Sequence, residues 1–381
     1  AAGGLTAGIS GAVSVVSIGA RPDADAKGEV NGSLGEVSRR TSANAFGNQL
    51  NSDAGGISES RDRANTARAG MDLGADLDAD LSNTSAAAAV AGDLDAGRHV
   101  TVAAHNRTDT DAVAVGAAVS GGLSLGGGVA LSFVDDKTRA SLTGTTVAGG
   151  NVNVSALDDQ PDLSRLRTYA GGAGLVGLGA SVAIQEKHSS AIAELGGNVT
   201  ATSGTVTVDA GINHQLEAEG GAGAVGVAGV GASIAYVTES GEATARVLAG
   251  AQVTSDGLEV YGHSVTDSHA TTIAAAGGIV AGAGADANVL DEATANAELN
   301  GNADVAAADA GSVWVHAAAT PRARAETLGV SLSLSASVGA ALSDVLVARA
   351  GGRATASAAG KSGRRVEDVI EAVVHELDLP Y

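Results

Sequence analysis

The sequence contains no cysteine, little proline, few aromatic residues and few charged ones. Its 381 residues include 4 Pro, 1 Trp, 4 Tyr and 2 Phe, and 17% of the residues are charged. Without cysteine, the chain has no disulfide, no thiol nucleophile and no thiolate zinc site. A core with so few large side chains has to be thin and repetitive, and this argues against an ordinary globular enzyme.

The charge of the chain is strongly one-sided. Lys and Arg total 22, whereas Asp and Glu total 43, which gives a formal net charge of −21. Phosphate backbones repel such a polyanion, so we expect no nucleic-acid partner. The acidity instead suits a well-solvated surface, calcium or basic partners.

Glycine is abundant, with 55 residues, and the sequence repeats. A Val-x-Val pattern recurs at intervals of 52, 54, 52 and 55 residues, beginning at Val100, Val152, Val206, Leu258 and Val313. The end of a strand recurs at intervals of 53, 53 and 51 residues, at Leu142, Leu195, Leu248 and Leu299. An apolar position in Gly/Ala-rich sequence recurs with the same period, at Val129, Val182, Ile234, Ala287 and Val338. The shared period of about 52 residues predicts an array of structural repeats.

Much of each repeat alternates between apolar and polar residues and is rich in Val, Ile and Thr, a pattern typical of β-strands. Strands that repeat in register can stack as a solenoid, in which each coil buries its small inward side chains against the coil before it. We therefore predict an all-β fold, a repetitive β-solenoid of about five 52-residue repeats. Stacked β-hairpins or a sandwich array are the alternative, and each repeat could form one wide coil or two narrow ones.

Each repeat also contains a short charged segment between two long alternating stretches. These segments are Asp135–Lys137, Glu186–His188, Glu239–Glu242 and Asp291–Glu292. Charged residues between strands are typical of solvated turns, so we expect a turn at each segment.

Two uncharged runs are long enough for a membrane-spanning helix, namely 112–134 and 220–238. Gly and Ala dominate both runs, and each lies inside a 52-residue repeat. Buried strands explain them better, so we expect a protein that does not span a membrane.

Four segments follow from these patterns. Residues 1–20 form a partial repeat, 21–98 a non-repeating excursion, 99–359 the β repeat array and 360–381 a C-terminal helix. The last segment carries apolar residues at helical spacing, at Val366, Val369, Ile370, Val373, Val374 and Leu377. We expect this amphipathic helix to cap the open end of the array.

The excursion contains the candidates for a metal site. Asp72, Asp76, Asp78 and Asp80 could offer several oxygen ligands to calcium. Their spacing matches neither an EF-hand loop nor a calcium-binding nonapeptide, and the wet face of a strand or helix is the simpler interpretation. We expect no other cofactor.

Adjacent carboxylates are the candidates for catalysis. Asp135 with Asp136, and Asp158 with Asp159, could serve a β-helical polysaccharide lyase or hydrolase. Enzymes that act on sugars normally offer aromatic platforms, and the repeats contain few, at Tyr169, Tyr236, Tyr261 and Trp314. Carboxylates at turns are normally solvated, so we expect the protein not to be an enzyme, with this activity kept as an alternative.

At residues 148–156 and 203–210 the sequence reads Ala-Gly-Gly-Asn-Val-Asn-Val-Ser-Ala and Ser-Gly-Thr-Val-Thr-Val-Asp-Ala. These strings resemble the repeats of large bacterial filamentous adhesins, the filamentous-haemagglutinin and leukotoxin-type exoproteins. The Gly-Ala-Ser-Val-Ala string at 179–183 and the Gly-Ala-Ser-Ile-Ala string at 231–235 are similar to the leukotoxin-type units. The resemblance covers roughly residues 100–350.

This resemblance implies a structural stalk segment of a secreted or cell-surface fibrous adhesin, with an extracellular location. Its partners would be the neighbouring repeats of a longer parent chain. No functional residues carry over, because the repeats of that family are scaffold. The alternative is a module that binds glycan or host matrix through the excursion 21–98, since binding residues concentrate on segments that project from a scaffold.

Overall fold

A computed structural model describes residues 2–4, 7–18, 86–160, 162–305, 313–347, 351–356 and 370–374. These residues form strands joined by turns and bends, and none of them is helical. The strands pair in parallel. The all-β prediction is therefore confirmed for the described part of the chain.

The strands of the first half are β1 (Ala2–Gly4), β2 (Ala7–Ile18), β3 (Ala86–Ala91), β4 (Leu94–Ala96), β5 (Val100–Asn106), β6 (Asp111–Ser120), β7 (Leu123–Thr143), β8 (Thr145–Ala148), β9 (Val152–Asp159), β10 (Ser164–Ala173) and β11 (Val176–Leu195). Those of the second half are β12 (Asn198–Ala201), β13 (Thr205–Val225), β14 (Ala228–Val247), β15 (Gln252–Ser255), β16 (Gly257–Asp291), β17 (Thr294–Leu299), β18 (Asn302–Val305), β19 (Val313–Val347), β20 (Gly351–Ala356) and β21 (Ile370–Val374).

The long strands form a 16-stranded sheet, and the short strands β18, β15, β12, β8 and β4 form a 5-stranded sheet in that order. The main path of the large sheet runs β1-β6-β10-β13-β16-β14-β11-β7-β2. Because β16 belongs to both halves of this path, the sheet folds back and its two halves face each other. The first half consists of β1, β6, β10, β13 and the first part of β16. The second half consists of the last part of β16 with β14, β11, β7 and β2.

Each strand pairs with its equivalent about 52 residues along the chain. The Val-x-Val residues pair in the order expected, Val100 with Val152, Val152 with Val206, Val206 with Leu258 and Leu258 with Val313. One repeat therefore corresponds to a single step between neighbouring strands.

The other two sequence markers were partly wrong. Val247, and not Leu248, pairs with both Leu195 and Leu299. In the Gly/Ala-rich stretch, Ile234 pairs with Asp286, and Asp286 pairs with Leu342. In a strand, an error of one residue moves a side chain to the other face. The marker Val338 lies four residues from Leu342, so the spacing located the stretch and not the register.

At four successive steps, a glycine bend links a strand of the large sheet to the following short strand. The bend glycines are Gly92, Gly144, Gly197 and Gly250, with φ of 130°, 104°, 79° and 83°. This left-handed region is open to glycine at little cost. The recurring bend directs the chain from the large sheet into the small one once per repeat.

At one end of each repeat, called here the wide end, the two halves of the large sheet and the small sheet enclose a conventional apolar core. Its buried side chains come from the Val-x-Val strands, from the ends of the second long strands and from the short strands, for example Val208, Leu195 and Val199. Leu195 and Val208 are completely buried. Three surfaces thus enclose large aliphatic side chains.

The opposite end, called here the Gly/Ala wing, comprises residues 112–134, 168–185, 220–238 and 270–285. Here the two halves of the large sheet approach so closely that their backbones touch. A Cβ atom added to Gly116 would overlap the carbonyl oxygen of Gly127, and one added to Gly179 would overlap that of Gly223. Glycine is therefore required at these positions by space.

The uncharged runs 112–134 and 220–238 contribute to strands, as the sequence predicted. No helix among the described residues is long and apolar enough to cross a membrane.

The two non-repeating segments are described only in part. Residues 21–85 lie outside the described residues, whereas β3 and β4 already pair with β7 and β8, so the pairing begins within the predicted excursion 21–98. Of the predicted C-terminal helix 360–381, only 370–374 are described. They form a strand that pairs with β19, so the helix is wrong for these residues. Ile and Val favour strands, and the open edge of β19 supplies backbone partners.

Candidate functional site

A layer of buried polar side chains separates the core of the wide end from the core of the wing. We call it the ionic seam. It consists of Asp136, Asp158, Gln160, Lys187, His214, Glu239, Thr266 and Asp291. None of these residues is more than 1% exposed, and Lys187 heads the set of the largest fully buried side chains. Charged side chains are almost never buried to this degree without partners.

Strand geometry explains how these residues come to face inward. In β13, the buried side chains alternate along the strand from Val206 through Ile212 to Leu216, and His214 occupies one of these inward positions. Lys187 occupies an inward position of β11 in the same way, between Gln185 and Ser189. The seam is therefore built from polar residues placed on the core face of otherwise regular strands.

One buried polar pair links the two facing halves of the large sheet in each of three repeats. The pairs are Nζ of Lys187 donating to Oε1 of Gln160 at 3.0 Å, Nδ1 of His214 with Oε1 of Glu239 at 2.8 Å, and Oγ1 of Thr266 donating to Oδ2 of Asp291 at 2.6 Å. The pairs stack in register, because Lys187 pairs with Glu239 in backbone register and Glu239 with Asp291.

Other contacts join these pairs from repeat to repeat. Nζ of Lys187 lies 3.5 Å from Oδ2 of Asp136, and Nε2 of His214 lies 3.2 Å from Oδ2 of Asp158. The side-chain amide of Asn106 donates to Oδ1 of Asp158 at 3.1 Å. The ionic seam thus extends over successive repeats in the direction in which the strands stack.

His214 and Asp158 have shifted pKa values. Burial by itself would lower the pKa of His214, but the carboxylates of Glu239 and Asp158 outweigh it and raise that pKa. Burial would raise the pKa of Asp158, but His214, Lys187 and Asn106 outweigh it and lower that pKa. Both shifts favour the charged forms, and the His214 ring lies between the carboxylates of Asp158 and Glu239.

Asp291 differs from the other seam carboxylates. Burial raises its pKa to about 6, against smaller opposing effects from the hydroxyl of Thr266 and the backbone N–H of Ala293. The negative charge of Glu239 in the preceding repeat adds to the increase. Asp291 therefore carries a destabilised charge at neutral pH.

The structure separates the predicted carboxylate pairs. Asp136 and Asp158 are buried in the seam, whereas their neighbours Asp135 and Asp159 lie on the outer face. Asp159 accepts a hydrogen bond from Nδ2 of Asn213 at 2.8 Å. Adjacent residues of a strand point to opposite faces, so neither pair forms a two-carboxylate site.

Three of the four predicted charged turns were wrong, because β7, β11 and β14 continue through 135–137, 186–188 and 239–242. At the fourth segment, β16 ends at Asp291. A charge normally stays in water, but Lys187, Glu239 and Asp291 point into the seam, where each has a buried partner. The available sequence signal was the position of these residues on the apolar face of the alternating pattern.

The aromatic residues do not form a common platform. The ring of Tyr261 stacks on those of His263 and His316, with centroids 4.9 and 5.2 Å apart. The hydroxyl of Tyr236 donates to Oδ2 of Asp286 at 3.2 Å, and Trp314 is 48% exposed. Tyr169 lies on the outer face of the wing, in register with Val115.

The calcium candidates Asp72, Asp76, Asp78 and Asp80 lie outside the described residues. Within the described ranges, no group of three or more His, Asp or Glu side chains could hold a metal ion.

The seam is arranged for structure more than for chemistry on a substrate. Its side chains contact each other and are sealed on both sides by apolar cores. Buried polar contacts of this kind fix which strands pair and in which register, because a slipped register would move each charged side chain away from its partner. No family model, curated protein or solved structure matches this chain.

Proposed function

We propose that the chain is a β-solenoid that acts as a structural stalk segment of a secreted or cell-surface bacterial fibrous adhesin. The observation that carries the proposal is the parallel pairing of equivalent strands at every step of about 52 residues. An array of this kind extends by adding repeats, with each one supported by its neighbours. The resemblance of its repeats to those of filamentous adhesins supports the same role.

The mechanical argument follows from the strand spacing. In the half of the large sheet that contains β7, β11 and β14, strands from six successive repeats stack, from β2 to the second part of β19. At about 4.8 Å per strand they extend about 24 Å. Each step adds a backbone ladder and a layer of core, and these resist separation along the stack.

Ion pairs on the surface reinforce the steps. Glu194 receives hydrogen bonds from Arg139 of the preceding repeat and Arg246 of the following one. Burial would raise the pKa of Glu194, but the two guanidinium groups outweigh it and lower that pKa. Three successive repeats are thus tied at one position.

Further parts of the proposal concern location and partners. We place the protein outside the bacterial cell, with the neighbouring repeats of a longer chain as its partners and no cofactor. A polysaccharide lyase or hydrolase is disfavoured, because Asp136 and Asp158 are fully buried and engaged with Lys187 and His214.

Removal of one complete repeat tests the proposal. Deleting 248–299 joins Val247 to Asn300, and because Val247 and Leu299 are equivalent in register, the ladder can close again. We expect a folded protein whose stack is shorter by about one strand spacing of 4.8 Å, and whose radius of gyration, measured by small-angle X-ray scattering, is therefore smaller. Deleting 248–273 removes half a repeat and should abolish cooperative unfolding. Equal damage by both deletions would contradict the solenoid.

A binding module is the second candidate, and one observation favours it. Ile18 pairs with Val134, and Ala86 pairs with Thr138 of the same strand. Between these two paired positions, the first repeat therefore has residues 19–85, whereas the next repeat has only 135–137. A segment inserted at one position of a continuous ladder can carry a separate function.

Replacing 19–85 by Asp-Asp-Lys, the three residues of the next repeat, tests this second candidate. We expect the strand array to unfold at an unchanged temperature, because the ladder is not interrupted. Retention of the full chain, but not of the shortened chain, on immobilised neutral and acidic polysaccharides would establish the excursion as the binding segment. Equal retention of both, or of neither, would reject it.

A further inference from the structure

Large apolar side chains are exposed along one edge of the Gly/Ala wing, in a set that we call the apolar strip. Its members are between 37% and 63% exposed, namely Val115, Val119, Tyr169, Leu175, Val225, Val227, Ile273, Ile279 and Val280. They belong to four successive repeats and lie on the turns that join the two long strands or on the outer face next to them. Large contiguous apolar patches are unusual on monomeric proteins and mark interaction sites.

The turns place three of these side chains in one row. The backbone N–H of Ala228 donates to the carbonyl of Leu175 at 3.0 Å, and that of Ile279 donates to the carbonyl of Val227 at 2.9 Å. Leu175, Val227 and Ile279 therefore follow one another at the spacing of neighbouring strands, about 4.8 Å. The row forms a continuous aliphatic ridge parallel to the stack.

The wing is also the uncharged part of the molecule. Its four sequence ranges contain no Asp, Glu, Lys or Arg, although the whole chain has a formal net charge of −21. Two copies of such a polyanion repel each other wherever acidic surfaces meet. They can approach closely where both present uncharged aliphatic surface.

We propose that the apolar strip is a self-association surface, which joins the wings of two copies side by side. An isologous contact of this kind places the same strip on both sides of the interface. Stable interfaces bury about 800 Å² per partner and are most apolar at their centre. The strip would supply that centre, and the flanking Gly/Ala surface would supply the close backbone approach. The inference does not depend on the stalk function.

Sedimentation equilibrium of the full chain tests the contact. The variant Leu175→Ser/Val227→Ser/Ile279→Ser changes exposed turn residues, and its control Val147→Ser/Val265→Ser changes residues that are 40% and 41% exposed outside the strip. We expect dimers of the wild type and the control, and at least a tenfold weaker dimer of the triple variant. Added salt should strengthen the dimer by screening repulsion. A monomeric wild type, or equal dissociation constants for all three proteins, would overturn the proposal.

Cysteine cross-linking provides a second readout, because the chain has no native cysteine. Under mild oxidation, Val227→Cys should form a disulfide-linked dimer, and Val265→Cys should not. Equal cross-linking of both variants would overturn the proposal. Co-sedimentation of a monomeric wild type with phosphatidylcholine vesicles would also overturn it, in favour of a lipid surface.

Discussion

The wide end and the Gly/Ala wing fill space in opposite ways within the same repeats. At the wide end, three surfaces leave room for Val and Leu, and side chains such as Leu195 fill it. In the wing, two layers meet through their backbones, and the carbonyl oxygen of Gly223 occupies the place where a side chain of Gly179 would lie. The first region depends on the volume of its side chains, and the second depends on their absence.

The difference shows why glycine content alone says little about order. Glycine in a strand interior normally weakens it, through backbone entropy and the lack of packing. In the wing, the lack of a side chain on glycine allows the two halves of the large sheet to approach until their backbones touch. The same property therefore provides the packing. The ionic seam lies between the two regimes and fixes how the strands are aligned in both.

The largest expected effect comes from adding one methyl group inside the wing. Gly179→Ala places Cβ against the carbonyl oxygen of Gly223, and only backbone could move to relieve the overlap. We therefore expect the free energy of unfolding to fall by more than about 4 kcal/mol, an exceptional loss for a single substitution. The matched control is Gly223→Ala, whose Cβ would meet nothing within 4 Å. It should be neutral or stabilising by up to about 1 kcal/mol. Urea denaturation that shifts both midpoints equally would contradict the close backbone contact.

Removal of the seam cation should have the next largest effect. Lys187→Met leaves Asp136 buried without its ammonium partner, which should cost about 3–5 kcal/mol in the free energy of unfolding. The double variant Lys187→Met/Asp136→Asn removes the buried charge as well, so it should recover part of that loss. If urea denaturation shows the double variant to be no more stable than the single one, the charge pair is not the cause.

A cavity at the wide end should cost less. Leu195→Ala removes a fully buried side chain that packs among Val and Ala, so we expect a loss of about 3 kcal/mol. The control Leu175→Ala truncates a leucine that is 58% exposed, and should change stability by less than about 0.5 kcal/mol. Thermal and urea unfolding of the two variants, measured at a concentration where the protein is monomeric, would separate them. Similar losses would mean that the wide end is not a packed core.

The smallest effect, and the one with the opposite sign, concerns Asp291. Its pKa is about 6 in the folded state and 3.8 in the reference state, so the folded form holds the proton more tightly. Stability is therefore lost as the pH rises from about 4 to 6, and the full cost is present above 6. Asp291→Asn removes this cost and should stabilise the protein by about 2 kcal/mol at pH 8.

At pH 4, the Asp291→Asn variant and the wild type should be equally stable, because the wild-type carboxyl group is then protonated in the folded protein. Asn keeps an oxygen that can accept from the N–H of Ala293 and an amide that can donate to Thr266. Urea denaturation across this pH range would show the difference grow between about pH 4 and 6. An equal gain at both pH values would mean that the carboxyl group is not the titrating group.

Parts of the fold were accessible from the sequence because they depend on local pattern. The alternation around Val206 and Val208 predicts a strand, and the Val-x-Val spacing predicts the pairing that the structure has. The markers at Leu248 and Ala287 failed by one residue, because an apolar residue stands next to each of the true register partners, Val247 and Asp286. The helix expected at 360–381 depended on spacing alone, whereas 370–374 lie beside an open strand edge that a local pattern does not contain.

The candidate site was less accessible. Lys187, Glu239 and Asp291 were interpreted as parts of solvated turns, because charges are normally exposed. Their burial follows from partners that come from distant positions, such as His214 for Glu239 and Asp136 for Lys187. The spacing of residues along the sequence does not show which distant residues become partners. The position of these charged residues on the apolar face of each strand was the one signal of their burial.

The sequence by itself determined that the chain forms strands, that they recur about every 52 residues and that no cysteine chemistry is present, since alternation, period and composition can be read without the fold. Only the tertiary structure decided which charges are buried, which register each strand adopts and where glycine is indispensable. Those properties depend on the distance between the two facing halves of the sheet. That distance is large enough for leucine at the wide end, allows paired charges in the seam and leaves room only for backbone in the wing.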